Sequence, residues 1–272
     1  MSGDPIDAML ACGRAMLVSF RESRSRIPGR VVLRFPEVDL ARGIALLMML
    51  VYHLLFTARY LGMLEVEVLT GFWRWFAYAT AALFVLIAGL SLTLSESARR
   101  RGGASPREVT FRIARRGVEL VGWGLLITVV TGVVLERGAV IFGILHLIGV
   151  GTVLAIPFLR HPVIASMVGI ACILLGPVVS TIPGPMWLAW LGFHPVDFIS
   201  LDYVPVLPWF GVLLLGVGLG RLVYPGGDRR FPIAPPPDWS RPLTWIGRHT
   251  LAIYLLHEPV ILGVLLTWQH LT

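Results

Sequence analysis

The sequence predicts an all-α fold: a polytopic membrane bundle of about seven helices, with a cytoplasmic N-terminus and an external C-terminus. Three observations carry this reading. Hydrophobic residues fill 56% of the 272 positions and charged residues only 14%, whereas a soluble domain carries about 25% charged residues. The apolar residues gather in runs near the ~20 residues that a bilayer crossing takes. Arginine-rich and arginine-poor loops alternate along the chain, which is how a fixed membrane orientation is written in sequence.

Residues 1–35 read as a cytoplasmic arginine-rich segment, carrying Arg14, Arg21, Arg24, Arg26, Arg30 and Arg34. Ala8 to Phe20 is apolar but short, and suits the membrane surface. Residues 36–272 read as one transmembrane domain. Its spans are expected at Val38–Tyr60, Phe72–Ser95, Arg112–Leu135, Val140–Leu159, Val163–Ile182, Val204–Tyr224 and Leu243–Trp268. The loops after the second, fourth and sixth spans hold Arg99, Arg100, Arg101 and Arg107, then Arg160, then Arg229, Arg230 and Arg241. The intervening loops hold Glu65 and Glu67, Glu136 with Arg137, and Asp197 with Asp202. The positive-inside rule therefore puts the first set in the cytoplasm. Gly176-Pro177 predicts a kink in the fifth span, and Pro183-Gly-Pro185 its end. Met186 to His194 reads as an interfacial helix anchored by Trp187 and Trp190. Tyr224 to Pro242, rich in Pro and Gly, reads as a loop. Gly211, Gly216, Gly218 and Gly220 predict close helix packing on the sixth span.

Composition also excludes chemistry. All 23 basic residues are arginine, so neither a lysine Schiff base nor a lysine nucleophile is available. The net charge of +7 lies beside the apolar spans. It predicts anchoring to the lipid bilayer and no nucleic-acid partner. The two cysteines, Cys12 and Cys172, predict no disulfide, and no metal-type Cys or His spacing occurs. No HExxH, P-loop or GxSxG element is present.

The first span carries the most informative pair, Arg42 and His53. Eleven residues at about 100° each make three turns plus roughly 20°, so both side chains leave the same face. They stand roughly 16 Å apart along the axis. Asp39 lies within ion-pair reach of Arg42. Titratable groups are costly in hydrocarbon, so such a row suggests a polar pathway. Arg112, Arg115 and Arg116 open the third span, and Arg116 is a candidate for phosphate, which arginine binds bidentately. His146 sits between Gly143 and Gly149, and His257 sits beside Glu258 in the last span. Each suits either a ligand contact or a structural hydrogen bond. His249 reads as an interfacial cap. Asp202 either orients His53, or takes a substrate hydroxyl bond, or caps a helix.

These segments resemble a known family, the bacterial relatives of the catalytic domain of heparan-α-glucosaminide N-acetyltransferase, within the wider transmembrane acyltransferases. The matching pieces are Asp39 to Ala45, Phe84 to Ser91, Gly143 to Gly149, Asp202 to Gly211 and Gly247 to His257. The related O-acyltransferase branch carries an arginine, ten residues and a histidine taken as catalytic; Arg42 and His53 match that spacing. In the lysosomal enzyme an amide stands where His53 is, and the catalytic histidine lies in the following loop. Here Ala58 to Phe72 holds no histidine, so His53 is expected to take the role.

The resemblance implies an acyl-CoA-dependent enzyme of the inner (plasma) membrane. It implies acetyl-CoA as donor on the cytoplasmic side and a glycan or sugar-type acceptor outside. Taken with the residue pattern, this assigns catalysis to His53 and Asp202, and donor binding to Asp39, Arg42, Arg116, His146 and His257, of which the resemblance itself carries Arg42 and His53. His53 would serve as general base or as acyl carrier. The resemblance leaves a homo-oligomer open. Two other readings of the same residues are a transporter or flippase, and a membrane protein binding haem through His53 with His146 or His257.

Overall fold

Arginines, prolines and glycines set the ends of eight α-helices in the computed structural model, which describes residues 35–134 and 139–271. They are α1 (Pro36–Tyr60), α2 (Gly71–Arg101), α3 (Pro106–Val134), α4 (Ile144–Leu154), α5 (Pro162–Ser180), α6 (Val206–Val223), α7 (Arg241–Arg248) and α8 (Thr250–Leu271). No strand occurs among the described residues; isolated bridges join Phe142 to Tyr203 and Pro183 to His194. The all-α membrane class is therefore the one observed. The N-terminal arginine segment, its apolar stretch and Cys12 lie outside the described residues.

Local chemistry explains the helix starts. Pro36 and Pro162 occupy first-turn positions, where a missing N–H costs nothing. At α3 the Ser105 N–H donates to Glu108 and the Glu108 N–H donates to Ser105 Oγ, at 2.9 and 3.3 Å. That reciprocal pair satisfies two free amides.

Six helices, α1, α2, α3, α5, α6 and α8, are long and apolar enough to cross a membrane. The fourth expected span is shorter than predicted. Only Ile144–Leu154 is α-helical, 11 residues, followed by a 3-10 turn at Ile156–Phe158. The Phe142 carbonyl is held by the Val204 N–H at 2.8 Å, and Pro157 interrupts the far end. The last expected span is likewise divided at His249 into α7 and α8. Gly247 lies against the Asp39 carbonyl, and the Thr250 hydroxyl takes the Gly247 carbonyl at 2.7 Å. The expected interfacial helix at Met186–His194 is a single 3-10 turn, Met186–Leu188, followed by turns. Pro177 is accommodated inside α5, which runs on to Ser180.

α6 is the packing centre. A Cβ on Gly216 would overlap the Leu86 carbonyl oxygen of α2, and one on Gly211 the Gly169 carbonyl oxygen of α5. Backbones approach this closely only where side chains are absent, which is the use of small residues between membrane helices. α3 and α4 meet in the same way through Gly117 and Gly149. By contrast, Val260, Val264, Leu266 and Leu271 of α8 face outward. In a chain this apolar, hydrocarbon is what covers them.

Charged groups collect at one end of the bundle. Arg229 grips Glu37 through two bonds, at 2.7 and 2.9 Å, and the Tyr224 hydroxyl donates to the same carboxylate. Arg101 pairs with Asp228. Buried Glu96 takes both Arg100 and Arg221, and Arg221 also donates to the Leu159 carbonyl at 2.7 Å. The turn carrying Asp228 reverses through Gly226 and Gly227, both at positive φ, 63° and 93°, where glycine is favoured. Thus the segments read as cytoplasmic loops meet at a common end. α1 and α8 run parallel, since Asp39 meets Arg248 and, further along, Thr57 meets Glu258.

Candidate active site

Two polar nodes lie along α1. The first surrounds Arg42, close to the charged end. Arg42 donates to Asp39 Oδ1 at 2.8 Å and to the Ser91 hydroxyl of α2 at 2.7 Å. Asp39 is buried, and its second oxygen takes Arg248 of α7 at 3.4 Å. One carboxylate therefore holds two guanidiniums, and the node keeps an excess positive charge. The Arg42 side chain is 29% exposed. Ser91 belongs to a segment singled out in the sequence, yet its bond to Arg42 spans 49 positions and only the packing of α2 on α1 creates it.

Arg116 does not join this node. It is half exposed and shares Glu119 with Arg115, at 3.5 and 2.9 Å, on a helix packed chiefly against α4.

The second node forms around His53, where α8 packs on α1. The His53 and His257 rings meet edge to face with centroids 4.7 Å apart. His53 Nδ1 lies 2.9 Å from the Met49 carbonyl one turn back. A carbonyl only accepts, so Nδ1 carries the proton and Nε2 of the neutral ring is a free lone pair. His257 is fixed likewise by the Tyr254 carbonyl, and its Nε2 is buried without a hydrogen-bond partner. Glu258 accepts from the Thr57 hydroxyl at 3.2 Å. Donor atoms of His53, His257 and Glu258 lie within 4.8 Å of one another. The sequence notes Glu258 only as unusual at its depth; its place beside His53 comes from helix register across 201 positions.

Asp202 approaches this node from the segment before α6. It accepts the Ile144 N–H at 3.1 Å, so it caps α4 rather than α6. Burial raises its carboxyl pKa, with the Ile144 bond and the nearby His53 opposing the rise. Its neighbour Tyr203 donates to the Ala189 carbonyl at 2.8 Å, and burial pushes that phenol up to about 12.

His146 has a different role. The Gly143 N–H donates to its Nδ1 at 3.3 Å, which leaves the proton on Nε2, facing the Thr128 hydroxyl at 3.5 Å. With Asp202 it closes the α4 N-terminus and has no lone pair to spare. The structure thus brings His53, His257 and Glu258 together, sets Asp202 where its charge reaches His53, keeps Asp39 and Arg42 at the other node, and uses His146 as a cap.

This is the architecture of a helical membrane protein with two polar nodes on one helix. The profile of the family described as heparan-α-glucosaminide N-acetyltransferase, catalytic, matches residues 34–259. The chain belongs to that family, a family of transmembrane acetyltransferases. A search of curated proteins and of solved structures finds nothing that matches the chain.

Proposed function

We propose that the chain transfers an acyl group, acetyl first among them, from cytoplasmic acyl-CoA to a glycan or sugar-type acceptor across the plasma membrane. The observation that carries this reading is the fixed His53 tautomer. Its Nε2 lone pair lies in the node that also holds Glu258 and Asp202, on the helix that carries Arg42. Arg42 would hold a phosphate of the donor at the charged end, oriented toward the cytoplasm. The thin pantetheine arm would then reach along α1 to the thioester site, roughly 16 Å away.

Two balanced routes follow. In direct transfer, Nε2 takes the proton of the acceptor hydroxyl or amine as its oxygen or nitrogen attacks the thioester carbonyl. The C–S bond breaks, and the proton passes to the departing thiolate. In the two-step route, Nε2 itself attacks the thioester carbonyl and the C–S bond breaks, leaving an acyl-imidazolium and a thiolate; the acceptor oxygen or nitrogen then attacks the acyl carbonyl, the C–N bond to the imidazole breaks, and the acceptor proton passes to the thiolate. Glu258 and Asp202 would steady the imidazolium in the first route. Mass spectrometry of protein mixed with acetyl-CoA but no acceptor separates the two: an acetyl increment on the His53 peptide marks the covalent route. Transfer itself is tested with purified protein, labelled acetyl-CoA and a panel of amino sugars and oligosaccharides. Donor-independent flux of a sugar, with no labelled product, would replace this reading by a transporter.

A further inference from the structure

The node at His53 brings two imidazoles and a carboxylate together, one ligand atom of each within 4.8 Å of the others. Each imidazole gives its Nδ1 proton to a backbone carbonyl of its own helix, Met49 for His53 and Tyr254 for His257. Both Nε2 lone pairs are therefore free. Glu258, which faces them, accepts the Thr57 hydroxyl. Converging lone pairs in a low-dielectric interior favour a proton or a cation among them. His257 is 8% exposed, and its Nε2 has no hydrogen-bond partner.

We propose that His53, His257 and Glu258 form a site for a divalent transition-metal ion of the zinc type, and that its occupation inhibits the enzyme. Two imidazoles and one carboxylate suit zinc rather than magnesium or calcium, which favour all-oxygen shells. Histidine ligands usually donate their other ring nitrogen to a carbonyl or carboxylate, and both rings already do so. The three ligand atoms lie within 4.8 Å of one another. At Zn–N distances of about 2.0–2.1 Å, a tetrahedral shell needs roughly 3.3 Å, which a movement of roughly 1 Å by each side chain supplies. Glu258 adds a negative charge, and Asp202 lies close enough for its charge to reach His53. The ion would take the same His53 nitrogen that acyl transfer uses. The inhibitory part of the proposal therefore rests on the proposed function; the binding part does not.

The test uses the full chain, purified in detergent and stripped with a chelator. Cobalt(II) should give visible d–d bands that saturate at one equivalent per chain, and zinc(II) should displace it. His257→Ala and Glu258→Gln should each weaken binding at least ~10-fold, while His146→Ala and His249→Ala keep it. Thermal unfolding and elution as a single species in detergent monitor the folding of every variant. In the transfer assay, zinc(II) should inhibit and chelator should restore activity. Less than one saturable equivalent in wild-type protein, or unchanged affinity in folded His257→Ala and Glu258→Gln, overturns the site. Binding that leaves transfer unaffected or stimulates it overturns the inhibition. Because the binding titration contains no acyl-CoA, its failure stays distinct from a failure of acyl transfer.

Discussion

Arg42 and His53 belong to one helix but answer to different neighbours. Arg42 is tied to Asp39 and Ser91, His53 to the Met49 carbonyl and the His257 ring. Arg42→Ala removes the partly exposed guanidinium and should weaken acetyl-CoA binding roughly 10- to 100-fold, the worth of a charge-assisted bond. Arg42→Lys should recover only part, because an ammonium lacks the planar fork. Isothermal titration with acetyl-CoA checks both; unchanged affinity in folded Arg42→Ala removes the residue from the donor site. Asp202→Asn keeps an oxygen for the Ile144 N–H and loses the charge that His53 feels. It should preserve thermal stability and lower kcat; an unchanged kcat would leave Asp202 as a cap alone. His146→Ala should instead cost about 1 kcal/mol of stability through its lost cap, with transfer per folded molecule retained, as thermal shift and specific activity would show. The 3.6-residue period made the Arg42–His53 row legible in the sequence. Ser91, Glu258 and the capping use of His146 were not, because each depends on which helix lies alongside.

At the scale of elements, two features hold the bundle. One is close backbone approach along α6. Gly216→Val would drive a side chain into the Leu86 carbonyl, and overpacking of this kind typically costs about 1–3 kcal/mol. The other is the buried carboxylate of Glu96, which holds Arg100 and Arg221. Glu96→Ala leaves Arg221 buried and half-paired, and removing one partner of such a pair costs about 3–5 kcal/mol. Both variants should lose thermal stability in detergent, and Glu96→Ala the more; equal or greater stability of Glu96→Ala would show the cluster to be dispensable. The glycines of the sixth span announced close packing in the sequence. The shortening of α4 and the break at His249 did not show, since hydropathy registers how apolar a run is and not whether its backbone is bound elsewhere. Phe142 is taken by Val204, and Gly247 is pressed on Asp39.

For the whole molecule, the arginine asymmetry and the helix directions agree. The arginine-rich loops meet at one end, and α1 runs parallel to α8. The orientation itself is a prediction. Reporter fusions should place Gly102 and Gly227 in the cytoplasm, and Glu65 and Asp197 outside. A cytoplasmic signal at Asp197 would invert the arrangement and put the proposed donor site on the wrong face. With that orientation the Arg42 node would open toward the cytoplasm and the His53 node would lie nearer the outer face, as the proposed reading requires.

The central claim is that donor binding and transfer reside in separate nodes of α1, with His53 in the chemistry. The direct measurement is acetyl-CoA affinity and acetyl transfer in the same preparation of His53→Ala. Affinity should stay near wild type while the transfer rate falls at least ~10²-fold, the usual cost of a lost base or nucleophile. Transfer by folded His53→Ala at near wild-type rate would contradict the account.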